Sequence, residues 1–295
     1  MKKWIYFIIP LLLGACTLTV VIDLPEQEPK AVINAFFSPD SSWRVQITKS
    51  RGMYDTGWQF SPVSNAQVSL MKNGQFDQQL MYDAGKGYFF SNQQKPEVGA
   101  AYRIEVSAPG IVDTAVASDT VPVMVQIQNL VVNRNVSVTP EGDTLSEVKF
   151  SIDDPAGANY YGLELLTFNS TSPGNFWDIC YQSNDPVLNS GNNWLQVGLG
   201  DNSICNRVYF SDDLIDGKTH QFSFMVSEYE LNLSDGLMMV LFSVSKSYFT
   251  YSLTRDLQMN TQGNPFAEPV LVYDNVQNGL GIFAAYSLAY DLVIF

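Results

Sequence analysis

One histidine, three cysteines and 30 acidic side chains are the groups with which this chain could do chemistry. His220 opens the run "QFSFMV". A single histidine is enough for a Ser-His-Asp arrangement, but no G-x-S-x-G elbow accompanies it. His220 therefore reads as an exposed residue at a strand start, and the chain as a non-enzyme. Cys180 and Cys205 lack CxxC spacing and a second histidine to join them, so no zinc centre is expected. No cofactor or metal is expected either. "SDDLIDG" invites a calcium reading, but a loop begun at Asp212 puts Leu214 third and Ser223 twelfth, where an EF-hand needs oxygen ligands. Asp212, Asp213 and Asp216 read as a solvated turn, with Gly217 supplying positive φ. Asp153-Asp154-Pro155 reads as a turn starter, and an irregular calcium site is left open. Paired carboxylates for glycoside hydrolysis carry no signal, since among 30 acids some pair falls at any separation. Trp177 and Trp194 lie in a polar, Gly- and Asn-rich stretch and are candidates for stacking on sugar rings.

Cys16 has a different role. Lys2 and Lys3 precede an apolar run from Trp4 to Leu13, too short to span a bilayer and typical of a secretory leader. Leu13-Gly14-Ala15-Cys16 resembles the bacterial lipobox, which predicts cleavage before Cys16 and acylation of its thiol. Two or three acyl chains anchor a protein stably, at ~0.8 kcal/mol per buried CH₂. Residues 1–15 are thus a lipoprotein signal peptide and 16–29 a tether. Outside the cytoplasm the remaining pair, Cys180 and Cys205, is expected to form a disulfide contributing ~3 kcal/mol.

The formal charge is −14, from 16 basic and 30 acidic residues. Nucleic acid and anionic lipid surfaces are poor partners for such a chain, because phosphate binding needs clustered cations.

The elements that must position these residues are mostly strands. "WRVQITKS" (43–50) alternates with period two. "NAQVSLMKNGQF" (65–76) sets a hairpin turn at Asn73-Gly74. "AAYRIEVSAPG" puts Tyr102, Ile104 and Val106 on one face. These strands predict a small, Ig-like β-sandwich over 30–121. A second, larger β-sandwich domain is expected over 122–295. Within it, "KSYFTYSLTRDLQMN" (246–260) predicts one amphipathic helix burying Phe249, Leu253 and Leu257. "NGLGIFAAYSLAYDLVIF" predicts a glycine turn and one or two closing strands. The fold class is mainly β.

"DPAGANYY", "FSDDLIDGK", "SYFTYSLTRDLQ" and "NPFAEPV" followed by "DNVQNGLGIFAAYS" occur in a fixed order. That order resembles the Bacteroidota lipoproteins grouped as domain of unknown function 4249. "NAQVSL", "GKGYFFS" and "YRIEVSAPG" resemble carboxypeptidase-regulatory or transthyretin-like sandwiches. The resemblance implies an outer-membrane-anchored accessory or adaptor subunit beside a TonB-dependent transporter. A stand-alone glycan- or peptide-binding lipoprotein is the alternative, and an enzyme of unknown class the third. The family supplies no catalytic residues. Surface-exported lipoproteins of that phylum often carry acids directly after the lipidated cysteine. Here Thr17-Leu18-Thr19-Val20 follow and the first acid is Asp23, so the periplasmic and the cell-surface face both stay open.

Overall fold

The computed structural model describes residues 28–52, 60–172, 174–189, 203–261, 264 and 266–295. Cys16 and Trp194 lie outside them.

The first seven strands are β1 (Ala31–Phe37), β2 (Trp43–Lys49), β3 (Gln67–Lys72), β4 (Gln75–Asp83), β5 (Tyr88–Ser91), β6 (Ala101–Ser107) and β7 (Ala115–Thr120). Their alternation is legible in burial: Tyr102, Ile104 and Val106 all point into one core with Trp43, Phe37 and Phe89. The β3–β4 turn has Asn73 at φ 50° and Gly74 at φ 81°. Two consecutive positive φ angles make the tight turn whose twist matches that of paired strands.

The later elements are β8 (Gln128–Val138), β9 (Thr144–Asp153), β10 (Tyr160–Phe168), β11 (Phe176–Asp178), β12 (Tyr181–Gln182), α1 (Pro186–Asn189), β13 (Ser203–Ile204), β14 (Val208–Ser211) and β15 (Thr219–Ser227). They are followed by α2 (Glu228–Asn232), β16 (Gly236–Val244), α3 (Lys246–Thr261) and β17 (Leu280–Ile294). A five-stranded sheet, ordered β13-β12-β15-β9-β8, faces the strands β10, β16 and β14. Between them lies a second core containing Phe150, Phe222, Phe224, Tyr161 and Leu241.

The two sandwiches share one sheet. Its order is β11-β10-β16-β17-β1-β2-β5-β4-β3-β6-β7, with β14 also on β10. The strand that joins them is β17. Its first part pairs in parallel with β1, from Val32 against Leu280 to Phe37 against Ala285. Its second part pairs antiparallel with β16, from Val244 against Tyr286 to Gly236 against Ile294. Val276, Phe283 and Ala285, near the end of the chain, are therefore buried in the amino-terminal core.

Helix α3 lies on the outer face of the shared sheet. Its buried positions are Tyr248 and Ser252, not the expected stripe of Phe249, Leu253 and Leu257. Phe249 and Leu253 pack beside that seam and Leu257 is half-buried. The reason is what lies below: Tyr248 meets Phe36 and Tyr286 with ring centroids 5.0 and 5.8 Å apart, and small Ser252 follows one turn on. Ser245 caps the helix, its hydroxyl oxygen accepting the Tyr248 N–H at 3.1 Å.

Candidate functional site

The connections β9–β10 and β14–β15 both cross from one sheet to the other. Because β9 neighbours β15 and β10 neighbours β14, the two crossings run side by side. They bring together Asp154 from the first and Asp212 and Asp216 from the second. One carboxylate oxygen from each lies within 4.8 Å of the others. Asp154 and Asp212 are 6% and 4% exposed; of the expected solvated turn, Asp213 and Asp216 are exposed and Asp212 is buried. The carboxylates tie the crossings reciprocally. Asp154 Oδ2 accepts Gly217 N–H at 2.9 Å. Asp212 Oδ2 accepts Asn159 N–H at 2.8 Å and its side-chain amide at 3.1 Å. Asp216 Oδ1 accepts Gly157 N–H at 2.8 Å. The buried Tyr161 hydroxyl donates to Asp154 Oδ1. Burial pushes the Asp154 carboxyl above its ordinary range against these donors, and the nearby Asp212 and Asp216 charges add to the rise. Burial and Asp154 together raise the Tyr161 hydroxyl. Three oxygens so placed are the ligand type that hard cations take. The backbone donors they already hold make the cluster a polar corner that fixes two sheets. Gly217, at φ 68°, permits the turn as the sequence implies.

His220 is half-buried, not exposed. Its Nε2 lies 2.8 Å from Asp185 Oδ2, and its ring stands edge-on to Phe222 at 4.6 Å. Asp185 Oδ1 also accepts Val187 N–H at the start of α1. Ser183 Oγ accepts the Asp185 N–H at 3.2 Å and donates to Ser223 O. Serine, aspartate and histidine thus meet, but the hydroxyl is turned to the backbone, and the arrangement secures a helical turn.

Cys180 and Cys205 form a disulfide with Cα atoms 4.0 Å apart. They stand next to the paired residues Tyr181 and Ile204, so the bond clamps an antiparallel pairing of only two residues per strand. Trp177, 48% exposed, lies on β11 at the edge of the other sheet and pairs with Thr167. Its partner in the stacking expectation, Trp194, lies outside the described residues.

The outer face of the shared sheet carries a feature that the sequence reading missed. Tyr290, Leu292 and Ile294 project from one side of β17, with Met238 and Val240 beside them on β16 and Leu166 and Phe168 on β10. Phe176 extends the row across β11 and touches Phe168 edge-on. Helix α3 covers the upstream part of this face, where Ile282 and Ala284 are buried. Downstream, Tyr290 is 62% and Ile294 71% exposed. The boundary is marked by Arg207, whose guanidinium lies 3.6 Å over the Phe242 ring and donates to Glu164 at 2.8 Å. Gly162 makes this possible: a Cβ there would meet Tyr209 Cε1 at 3.0 Å and Arg207 Cδ at 3.2 Å. The period-two spacing of Tyr286, Leu288, Tyr290, Leu292 and Ile294 was the available signal.

A two-sandwich protein joined through one sheet, with a buried acidic corner and a partly open apolar face, is the class these features define. The profile of the domain of unknown function DUF4249 matches residues 18–289, and the chain belongs to that family. No curated protein matches it. A solved structure of a protein described as membrane-anchored, from Corynebacterium diphtheriae, aligns over 76% of this chain at 10% identity and a TM-score of 0.21. The alignment spans 56% of that protein's chain. Among the described residues no helix is long and apolar enough to cross a membrane.

Proposed function

We propose that the protein is a non-enzymatic lipoprotein, held at the outer membrane through Cys16, that serves as an accessory subunit of a TonB-dependent transport assembly. The observation that supports this reading best is the open apolar strip of Tyr290, Leu292 and Ile294. Exposed apolar side chains are common singly, but a contiguous strip on a sheet face is the mark of a docking surface. A partner barrel in the same membrane would meet it without either protein leaving the bilayer. A second reading, capture of a glycan or peptide by the protein alone, is favoured by the half-exposed ring of Trp177 on an edge strand.

Affinity isolation from detergent-solubilised membranes tests the first reading. The wild-type chain is expected to recover a β-barrel transporter, identified by mass spectrometry, and Leu292→Asp to lose it while melting normally. Recovery of no barrel, or undiminished recovery by the variant, would overturn it. Sugar or peptide binding by isolated protein, abolished by Trp177→Ala, would support the second reading instead.

A further inference from the structure

We infer that the amino-terminal sandwich is locked by the last strand of the chain, so that its seven strands gain stable structure only when β17 is in place. Three sets of observations carry this. The first is pairing. Without β17, β1 is left as an open edge along six paired positions, from Val32 to Phe37. Gln277 likewise exchanges backbone hydrogen bonds with Val116 of β7, at 2.8 and 3.0 Å, and so covers the opposite edge of the same sheet.

The second is the core. The Phe283 ring lies 4.4 Å from Phe37 and is stacked 6.3 Å from Trp43. Phe283 is fully buried, and Val276 and Ala285 fill the same core. Removing them would open the largest aromatic cluster of the first sandwich to water.

The third is local fit. Gly281 sits at φ +106°, and a Cβ there would lie 2.0 Å from the Ile33 carbonyl oxygen. A Cβ on Gly279 would lie 2.8 Å from Ala31 O and 3.0 Å from Ala115 Cβ. Two glycines thus let the entering chain lie flat against β1. Asn275 then clasps Phe283, accepting its N–H at 3.0 Å and donating to its carbonyl at 2.8 Å. Asp119 of β7 accepts the Ala285 N–H at 2.8 Å and the Ser245 hydroxyl at 2.5 Å. The phrase "DNVQNGLGIFAA" is therefore a latch, built residue by residue to close a sandwich whose first strand lies 248 positions earlier, the separation of the paired residues Ile33 and Gly281.

Domains of a growing chain commonly fold in order from the amino end. Here that order is blocked, because pairing between distant segments must wait until both exist. The first sandwich stays open until residues 276–285 have joined it.

Pulsed hydrogen exchange during refolding of the full mature chain tests this on the wild type. Amides of β1, β2 and β6 are expected to become protected in the same kinetic phase as those of β17. Protection of β1 to β7 in an earlier phase, with β17 still exchanging, would overturn the inference. At equilibrium, Phe283→Leu is expected to speed exchange of the slowest β2 and β6 amides by at least tenfold, and of the β17 amides facing β1 by the same factor. Faster exchange confined to β17 would overturn it equally.

Discussion

Replacing Tyr161 by phenylalanine removes one oxygen and probes the acidic corner without opening a cavity. The Tyr161 ring is fully buried, and its hydroxyl donates to Asp154, whose remaining donor is the Gly217 N–H. A hydrogen bond to a charged group contributes about 1.5–3 kcal/mol, and leaving a buried acceptor short of donors has a similar cost. We expect Tyr161→Phe to destabilise the fold by about 2 kcal/mol at neutral pH. With a urea slope of about 3 kcal/mol/M, the unfolding midpoint falls by roughly 0.7 M. The cost should depend on pH. Asp154 is already raised by burial, and the Tyr161 bond is what holds it down. A carboxyl raised in the folded state gains stability as pH falls through its folded pKa, because the folded chain then binds the proton more tightly. The variant, with a still higher pKa, gains more. Its deficit should therefore shrink as the pH falls from neutral towards the ordinary carboxylate value near 4. Urea titrations of both proteins at pH 7.5 and about pH 5 measure this. A deficit below about 0.5 kcal/mol at pH 7.5, the size expected of a neutral surface change, would refute the reasoning. So would an equal deficit at both pH values.

Four further outcomes follow from the packing. Reduction of Cys180–Cys205, or Cys180→Ser with Cys205→Ser, should cost about 3 kcal/mol by freeing the unfolded chain, and mass spectrometry of unreduced protein should find the two cysteine peptides linked. Gly281→Ala should prevent normal folding, since its Cβ meets the Ile33 carbonyl; circular dichroism and gel filtration report the loss. Tyr248→Ala on α3 should cost about 3 kcal/mol and Leu253→Ala only about 1 kcal/mol, as measured by thermal melts of the two variants. Arg134 holds Glu228 through paired bonds of 2.9 and 3.0 Å and keeps its carboxyl below the usual range. That stabilisation is present above the unfolded glutamate value near 4.3 and is lost as pH falls through the lower folded value, so Arg134→Met should flatten the acid limb of the stability curve.

The strands of both sandwiches were legible because their period-two alternation survives in burial, as in β6. The helix was legible from its length and spacing, but its seam was displaced by one position because the rings of Phe36 and Tyr286 select Tyr248 as the contact. The apolar positions shift phase after Val226, to Tyr229 and Leu231, and the chain turns helical at Glu228, where Arg134 and Ser146 hold the carboxylate. The acidic corner was invisible for another reason. "DDPAG" and "SDDLIDG" each read as a turn, and only the pairings of Asp153 with Thr219 and of Tyr160 with Ser211 place them together. The placement of β17 was the least legible feature. A run such as "GIFAAYSLAYDLVIF" alternates identically whether one sandwich or two receive it, and local pattern carries no information about a partner at the other end of the chain.

The open strip and the latch both depend on a single strand running through two sandwiches. Solution NMR of the isotope-labelled protein measures it most directly, through backbone contacts between β1 and β17. The account predicts cross-strand NOEs that join Ile33 to Gly281 and Phe37 to Ala285 in parallel register, together with antiparallel NOEs from Leu241 to Ala289. Antiparallel NOEs alone, with β1 lacking any contact to residues 280–285, would contradict it.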